Sequence, residues 1–159
     1  MLTSLERLEK EKSFQEWKEQ NKEFYLASCF ALIKDKKEPL WQFHFYNPKI
    51  DKIATFKVGK KIKQEKNEEI FKKEQETVEK LEMDKVKITF EQTLDIINGI
   101  ERYKNQEFTK KIIILQNQKL LIWNISFLTK TFQILHIKID AISGKILHES
   151  FESLMSLKK

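Results

Sequence analysis

The sequence contains a single cysteine, Cys29, among its 159 residues. One thiol excludes an internal disulfide and any zinc site built on paired cysteines. Because Cys29 lies in the apolar run FYLASCFALI, we expect it to be a small buried hydrophobic residue rather than a reactive thiol.

Long apolar stretches are absent as well. No window approaches ~18 uninterrupted apolar residues, so the sequence predicts no membrane-spanning helix and no membrane partner. The amino-terminal segment MLTSLERLEKEK has no apolar core of the kind that signal peptides contain. We therefore expect a cytoplasmic protein.

Glycine is scarce, and the three glycines at positions 59, 99 and 144 are isolated from one another. Their isolation excludes a glycine-rich loop that would hold a phosphate group. No HExxH or GxSxG motif occurs, and no cysteine–histidine cluster does. The sequence thus predicts a protein that is not an enzyme, with no catalytic residue, no cofactor and no metal site.

Two sets of ionisable residues are minor alternatives to that interpretation. Cys29 and His44 would form a nucleophile and its base if they faced one another on neighbouring strands. His136, Asp140 and His148 would supply metal ligands if the fold brought them together. Histidines with purely structural or solvent-exposed roles are the favoured interpretation of both sets.

The formal net charge is +6, and it is concentrated in one segment. Residues 102–147 hold eight basic side chains and only two acidic ones, Glu107 and Asp140. Only Arg7 and Arg102 among the 30 basic residues are arginines, the residue that base and phosphate recognition favours. Nucleic-acid binding by a basic sheet surface within 102–147 is therefore the alternative function rather than the leading one.

Hydrophobic periodicity predicts a helix and three strands in the first half of the chain. The pattern Thr3-Ser4-Leu5-Glu6 is typical of a capping box, and it predicts a helix over residues 4–21. The predicted strands are Phe24–Ile33, Leu40–Tyr46 and Ile53–Val58, followed by a charged segment with a helix near 67–81.

The second half begins with another capping-box pattern, Thr89-Phe90-Glu91-Gln92, which predicts a helix ending at about Tyr103. Strands are predicted at 111–117, 119–128 and 131–140, joined as antiparallel hairpins. Gly144 would allow a turn with positive φ after Asp140, and the strand would resume at Ile146.

The predicted fold class is α+β: an antiparallel sheet of about six strands packed by amphipathic helices. We expect one domain over 1–159, with an αβββ unit at 3–59, a charged and partly helical connector at 60–86, a second αβββ unit at 87–149 and a tail at 150–159. Trp41 and Trp123 occupy similar places in the two units. Either the units are a pseudo-duplication, or strand patterns simply look alike.

Residues 87–149 resemble a PepSY domain, with a divergent second copy at 3–58 if the repeat is real. The matching features are Ile88-Thr89 before the helix, Trp123-x-Ile125 in the hairpin, and a closing turn. The turn is formed by Asp140, Ala141, Gly144 and Lys145. The resemblance implies a small non-catalytic module that regulates or inhibits a partner protein, such as a peptidase.

A polar surface is the remaining candidate for function. Alternation places Gln42, His44, Asn124 and Ser126 on one sheet face, bordered by Lys119, Lys130 and Lys138. This face is predicted either to be plainly solvated or to bind a partner. The expected partner is another protein or a second copy of the chain, with nucleic acid as the alternative.

Overall fold

The computed structural model describes residues 1–34, 37–65, 78–104 and 106–153, together with the backbone of 68–69. The helices are α1 (Leu2–Lys10), α2 (Lys12–Gln20) and α3 (Phe90–Asn98), with short 3-10 helices at Met83–Lys85 and Glu101–Tyr103. The strands are β1 (Tyr25–Lys34), β2 (Leu40–Asn47), β3 (Lys52–Val58), β4 (Ile62–Gln64), β5 (Glu68–Glu69), β6 (Phe108–Gln118), β7 (Leu120–Thr129), β8 (Gln133–Asp140) and β9 (Ile146–Ser153).

All of these strands belong to one antiparallel sheet. Eight of them follow the order β4-β3-β2-β1-β6-β7-β8-β9, and β5 pairs with Lys52 and Ile53 at the start of β3. The hairpins β6–β7 and β7–β8 are those that the sequence predicts. The ladder between β1 and β6 joins the two halves of the chain edge to edge, with Ala31 opposite Ile113.

The prediction of a helix-packed α+β fold, with two αβββ units as an alternative description, is wrong. The structure is dominated by its sheet, and its three α-helices are only nine residues long each. The physical reason is the β1–β6 ladder: backbone hydrogen bonds continue across it, so the strands of both halves become a single layer. The antiparallel pairing of the strands, accompanied by helices, is confirmed.

The helices lie against one face of the sheet, here called the covered face. Strand alternation directs the core side chains to it, including the fully buried Phe43, Ile113 and Ile125. Phe14 of α2 packs edge-on against Phe56 at a centroid distance of 5.0 Å. Phe90 of α3 contacts both Trp41 and Trp123 at 5.5 and 6.0 Å. These aromatic contacts anchor short helices that would be marginal alone.

The predicted amino-terminal helix over 4–21 is two helices, and the capping box at Thr3 is wrong. The N-cap of α1 is Met1, without a side-chain cap, and Glu11 interrupts the helix with an extended backbone. The reason lies in the spacing of the buried residues. Leu8 and Phe14 are six positions apart, which places them on different sides of a continuous helix but on one side of a broken one.

The capping box that begins α3 is confirmed. Thr89 Oγ1 accepts the backbone N–H of Gln92, and the Gln92 side chain accepts the backbone N–H of Thr89. The helix ends at Asn98, so Gly99 lies at its C-cap and not within it. A separate 3-10 turn then reaches Tyr103, which corrects the predicted helix end.

The predicted helix near 67–81 falls largely outside the described residues. Residues 68–69 form β5, and residues 78–81 have no regular structure. The last strand continues to Ser153, four residues beyond the end of the PepSY-like segment at 149. Within the described ranges, no helix has the length and apolar character needed to cross a membrane.

Candidate binding surface

The turn after β8 is built around the Asp140 carboxylate. The Oδ1 atom of Asp140 accepts the backbone N–H groups of Ile142 and Ser143, both at 2.8 Å. The backbone carbonyl oxygen of Asp140 accepts the N–H of Gly144 at 2.9 Å. The hydrogen bonds from Ser143 and Ile142 hold the pKa of the Asp140 carboxyl below its usual range. Gly144 has φ of 76°, a conformation that glycine adopts without a Cβ clash.

The other two residues of the motif join this turn to the rest of the fold. The backbone N–H of Ala141 donates to Leu121, and its carbonyl oxygen accepts the N–H groups of Lys87 and Ile88, both at 2.9 Å. The Lys145 carbonyl accepts the N–H of Asp140, while its side chain is exposed. The four motif residues therefore fix the approach of the chain to α3.

The face opposite the helices, here called the open face, carries five of the seven residues predicted to form a binding surface. These five are Gln42, His44, Asn124, Ser126 and Lys138. Lys119 and Lys130 lie elsewhere, in the turns before and after β7. A ten-residue strand separates these two turns by about 30 Å, so their side chains do not border a common site.

Two polar pairs lie on the open face, one in each half of the sheet. Ser28 Oγ and His44 Nδ1 are 2.9 Å apart on paired strands, and the Phe30 ring stacks on the imidazole. His136 Nε2 is hydrogen-bonded to Asn124 Oδ1 across β7 and β8. Burial lowers the pKa of both histidines, so both imidazoles are neutral near pH 7.

The centre of the open face is apolar, which the sequence reasoning missed. The apolar side chains there, here called the apolar stripe, cross β2, β1 and β6; they are Leu40, Phe30, Leu32, Ile112 and Ile114. Leu32, Leu40 and Ile112 are 37%, 44% and 41% exposed. The sequence did contain a signal for this apolar surface, since β1 and β6 are apolar on both faces. A strand that is apolar on both faces needs to be covered on both sides.

Lysines border the apolar stripe. Lys34 and Lys110 are direct register partners at its end, on β1 and β6, and both are exposed. Lys138 is the neighbour of Asn124 on β8. Among the described residues, none of these three lysines forms an ion pair, whereas Lys57 on the same face pairs with Glu65.

The structure does not form either alternative catalytic or metal-binding set. Cys29 pairs with Phe43 and points to the covered face, whereas His44 points to the open face. Burial raises the pKa of the Cys29 thiol, which suits an inert core residue. His136 and Asp140 are four positions apart on one strand, about 13 Å. The described residues contain no group of three or more ligands that could hold a metal ion.

Comparisons with known proteins show that the fold has a counterpart and give little further information. No protein-family model matches the chain, and no curated protein does. The chain is similar in structure to a protein described as "a putative lipoprotein (CD1622) from Clostridium difficile 630", with a TM-score of 0.59 and 15% sequence identity. The match covers 88% of this chain and 90% of that one. At this identity the two proteins share a fold, and that is the extent of the likeness.

Proposed function

We propose that the protein is a non-catalytic module that binds another protein through its open face. The occupant that we infer is an amphipathic segment of a partner, with apolar side chains on one side and carboxylates at its margins. The apolar stripe at the centre of the sheet, bordered by lysines, is the observation that carries this proposal.

The apolar stripe supplies the contact area. Leu32 and Ile112 lie on the two central strands of the sheet, where side chains are ordinarily covered, yet both are more than a third exposed. Contiguous apolar surface of this kind marks interaction sites more often than isolated exposed residues do. Strands β2, β1 and β6 span about 10 Å, which matches the width of an α-helix.

The charge around the stripe selects an acidic partner. Lys34 and Lys110 directly oppose one another in the ladder, an arrangement that is destabilising because like charges repel. A carboxylate between the two ammonium groups would relieve that repulsion. The same charges disfavour a second copy of the chain packed face to face, because lysines would meet lysines.

Nucleic-acid binding, the alternative function, has weaker support. Several basic side chains of the 102–147 segment are already engaged: Arg102 with Glu149, Lys104 with Glu101, Lys130 with Glu107, and Lys111 over the Phe127 ring. Two aromatic residues that would be expected to stack on bases, Tyr46 and Phe132, are also poorly placed. Tyr46 is buried, and the exposed Phe132 lies in the β7–β8 turn away from the stripe.

The proposal is tested with two synthetic amphipathic peptides that share one leucine face and differ only in flanking glutamates or lysines. Binding to the full chain is followed by backbone amide NMR shifts at low and high salt. We expect the acidic peptide to shift amides of β1 and β6 and the basic peptide to bind at least fivefold more weakly. Ile112→Gln should weaken binding, and so should Lys34→Gln combined with Lys110→Gln; Lys12→Gln on α2 is the matched control.

Three outcomes would contradict the proposal. Equal binding of both peptides would remove the charge argument. Binding of poly(U) RNA that weakens steeply with salt, without peptide binding, would favour the nucleic-acid alternative. Self-association that protects Leu32 and Ile112 would make a second copy the occupant. The PepSY-like resemblance, the regulatory role it implies and the cytoplasmic location stay predictions.

A further inference from the structure

A second candidate site lies on the covered side of the sheet, independent of the open face. A cleft of about 810 Å³ opens between α1, α2 and the chain at residues 80–84. Its size falls within the range of small-molecule pockets. The apolar lining consists of Leu5, Phe14, Leu26, Phe45, Leu81 and Met83.

Three lysines line this cleft, Lys18, Lys22 and Lys80. Lys18 Nζ donates a hydrogen bond to the Phe24 carbonyl oxygen and lies 5.8 Å from the centroid of the Phe45 ring. Lys80 lines the same cleft and is exposed. Burial, followed by the charge of Lys80, lowers the pKa of Lys18. Lys18 is therefore a cation close to a second cation and to an apolar surface.

The acidic residues of the rim limit what the cleft would accept. Glu9, Glu19, Glu82 and Asp84 also line it, and Glu82 is paired with Lys85. These carboxylates would repel a ligand of high negative charge, such as a nucleotide. A ligand with one negative charge and a long apolar part satisfies both the lysines and the lining.

We infer that this cleft binds a single-chain anionic amphiphile of the fatty-acid class, with its carboxylate at Lys18 and Lys80 and its chain against Phe14, Phe45 and Leu81. The carboxylate neutralises the repulsion between the two ammonium groups. The alkyl chain leaves water when it lies in the cleft, so affinity should rise with the length of the chain.

The test is isothermal titration of the full chain with sodium dodecanoate below its micelle concentration. Dodecyltrimethylammonium carries the same chain with the opposite charge, and butyrate carries the same headgroup without the chain. We expect one dodecanoate per chain and at least tenfold weaker binding of each comparison compound. Lys80→Gln and Lys18→Met should each weaken dodecanoate binding at least fivefold.

The controls separate this site from the open face and from membranes. Lys12→Gln on α2 and Ile112→Gln on the open face should leave dodecanoate binding unchanged. If Lys18→Met fails to fold, Lys80→Gln decides the question, because that side chain is exposed. Equal binding of the cationic detergent, unchanged affinity in Lys80→Gln, or binding to phosphatidylglycerol vesicles without binding to monomeric dodecanoate would overturn the inference.

Discussion

The indole N–H of Trp123 donates a hydrogen bond to the backbone carbonyl oxygen of Ile88 at 2.9 Å. Trp123 is fully buried on β7, and Ile88 directly precedes the N-cap of α3. The backbone N–H groups of Lys87 and Ile88 in the same short segment donate two hydrogen bonds to the carbonyl oxygen of Ala141. Strand, turn and helix therefore meet at Ile88, which explains why the residues of the PepSY-like pattern lie near one another.

Replacing Trp123 tests how much its hydrogen bond to Ile88 contributes to the stability of the fold. Trp123→Phe removes the donor and leaves a cavity, and we expect a loss of about 2–4 kcal/mol in the free energy of unfolding. Trp41→Phe is the matched control, since Trp41 is 2% exposed and its indole N–H forms no hydrogen bond with the residues that the structure describes. Urea denaturation measures both. Equal losses would mean that the Trp123 hydrogen bond contributes nothing.

Gly144 is the position where backbone conformation limits substitution. Gly144→Ala places a Cβ atom at φ of 76° and 3.2 Å from Ile96 Cδ1, so we expect a loss of about 1–3 kcal/mol. Gly99→Ala is the control, because Gly99 has φ of −71° and ψ of −13°. A Cβ atom at Gly99 would lie 3.3 Å from the Ile96 carbonyl oxygen, so that change should alter stability by less than about 1 kcal/mol in either direction. Thermal unfolding compares the two, and an unaffected Gly144→Ala protein would argue against the described turn.

Two adjacent isoleucines of β6 test the assignment of the sheet faces. Ile113 is fully buried on the covered face, and Ile113→Ala should cost about 2–5 kcal/mol. Ile112 is 41% exposed on the open face, and Ile112→Ala should cost less than about 1 kcal/mol. Denaturant midpoints give both values. A large loss in Ile112→Ala would indicate that the apolar stripe is covered in solution, for example by a second copy.

The half-buried histidines His44 and His136 predict a loss of stability in mild acid. Burial lowers the pKa of His44 and His136 in the folded protein, so the unfolded chain binds protons more readily below pH 6.5. The contribution of the two histidines to the free energy of unfolding is complete above pH 6.5. It is lost as the pH falls through their lowered pKa values in the folded protein. We expect the double variant His44→Gln with His136→Gln to show a flatter stability profile between pH 7 and 5. An unchanged slope would count against lowered pKa values of these two histidines in the folded protein.

Two local signals predicted the structure correctly, whereas a third, the capping-box pattern at Thr3, did not. The capping box at Thr89 and Gln92 and the turn at Gly144 depend on neighbouring residues, and both are formed. Other turns had no such signal. Lys119 and Phe132 adopt φ of 64° and 57°, and these side chains give no indication of positive φ.

The open face shows why the candidate site was only half predicted. Alternation within β2 and β7 correctly placed His44 and Asn124 on one face of the sheet. The residues between them, Leu32 and Ile112, come from strands that are far apart in the sequence. Only the β1–β6 ladder makes those residues neighbours, and periodicity within a strand contains no information about which distant strand it will pair with.

The ladder between β1 and β6 also governs how the chain reaches its folded state. Its partners are separated by about 80 positions, so the entropy of closing that loop must be met before the central hydrogen bonds form. During synthesis the amino-terminal half emerges first, with the apolar edge of β1 still unmatched. Such an edge is a template for aggregation. Until β6 is synthesised and pairs with β1, that edge stays open to pairing with other chains.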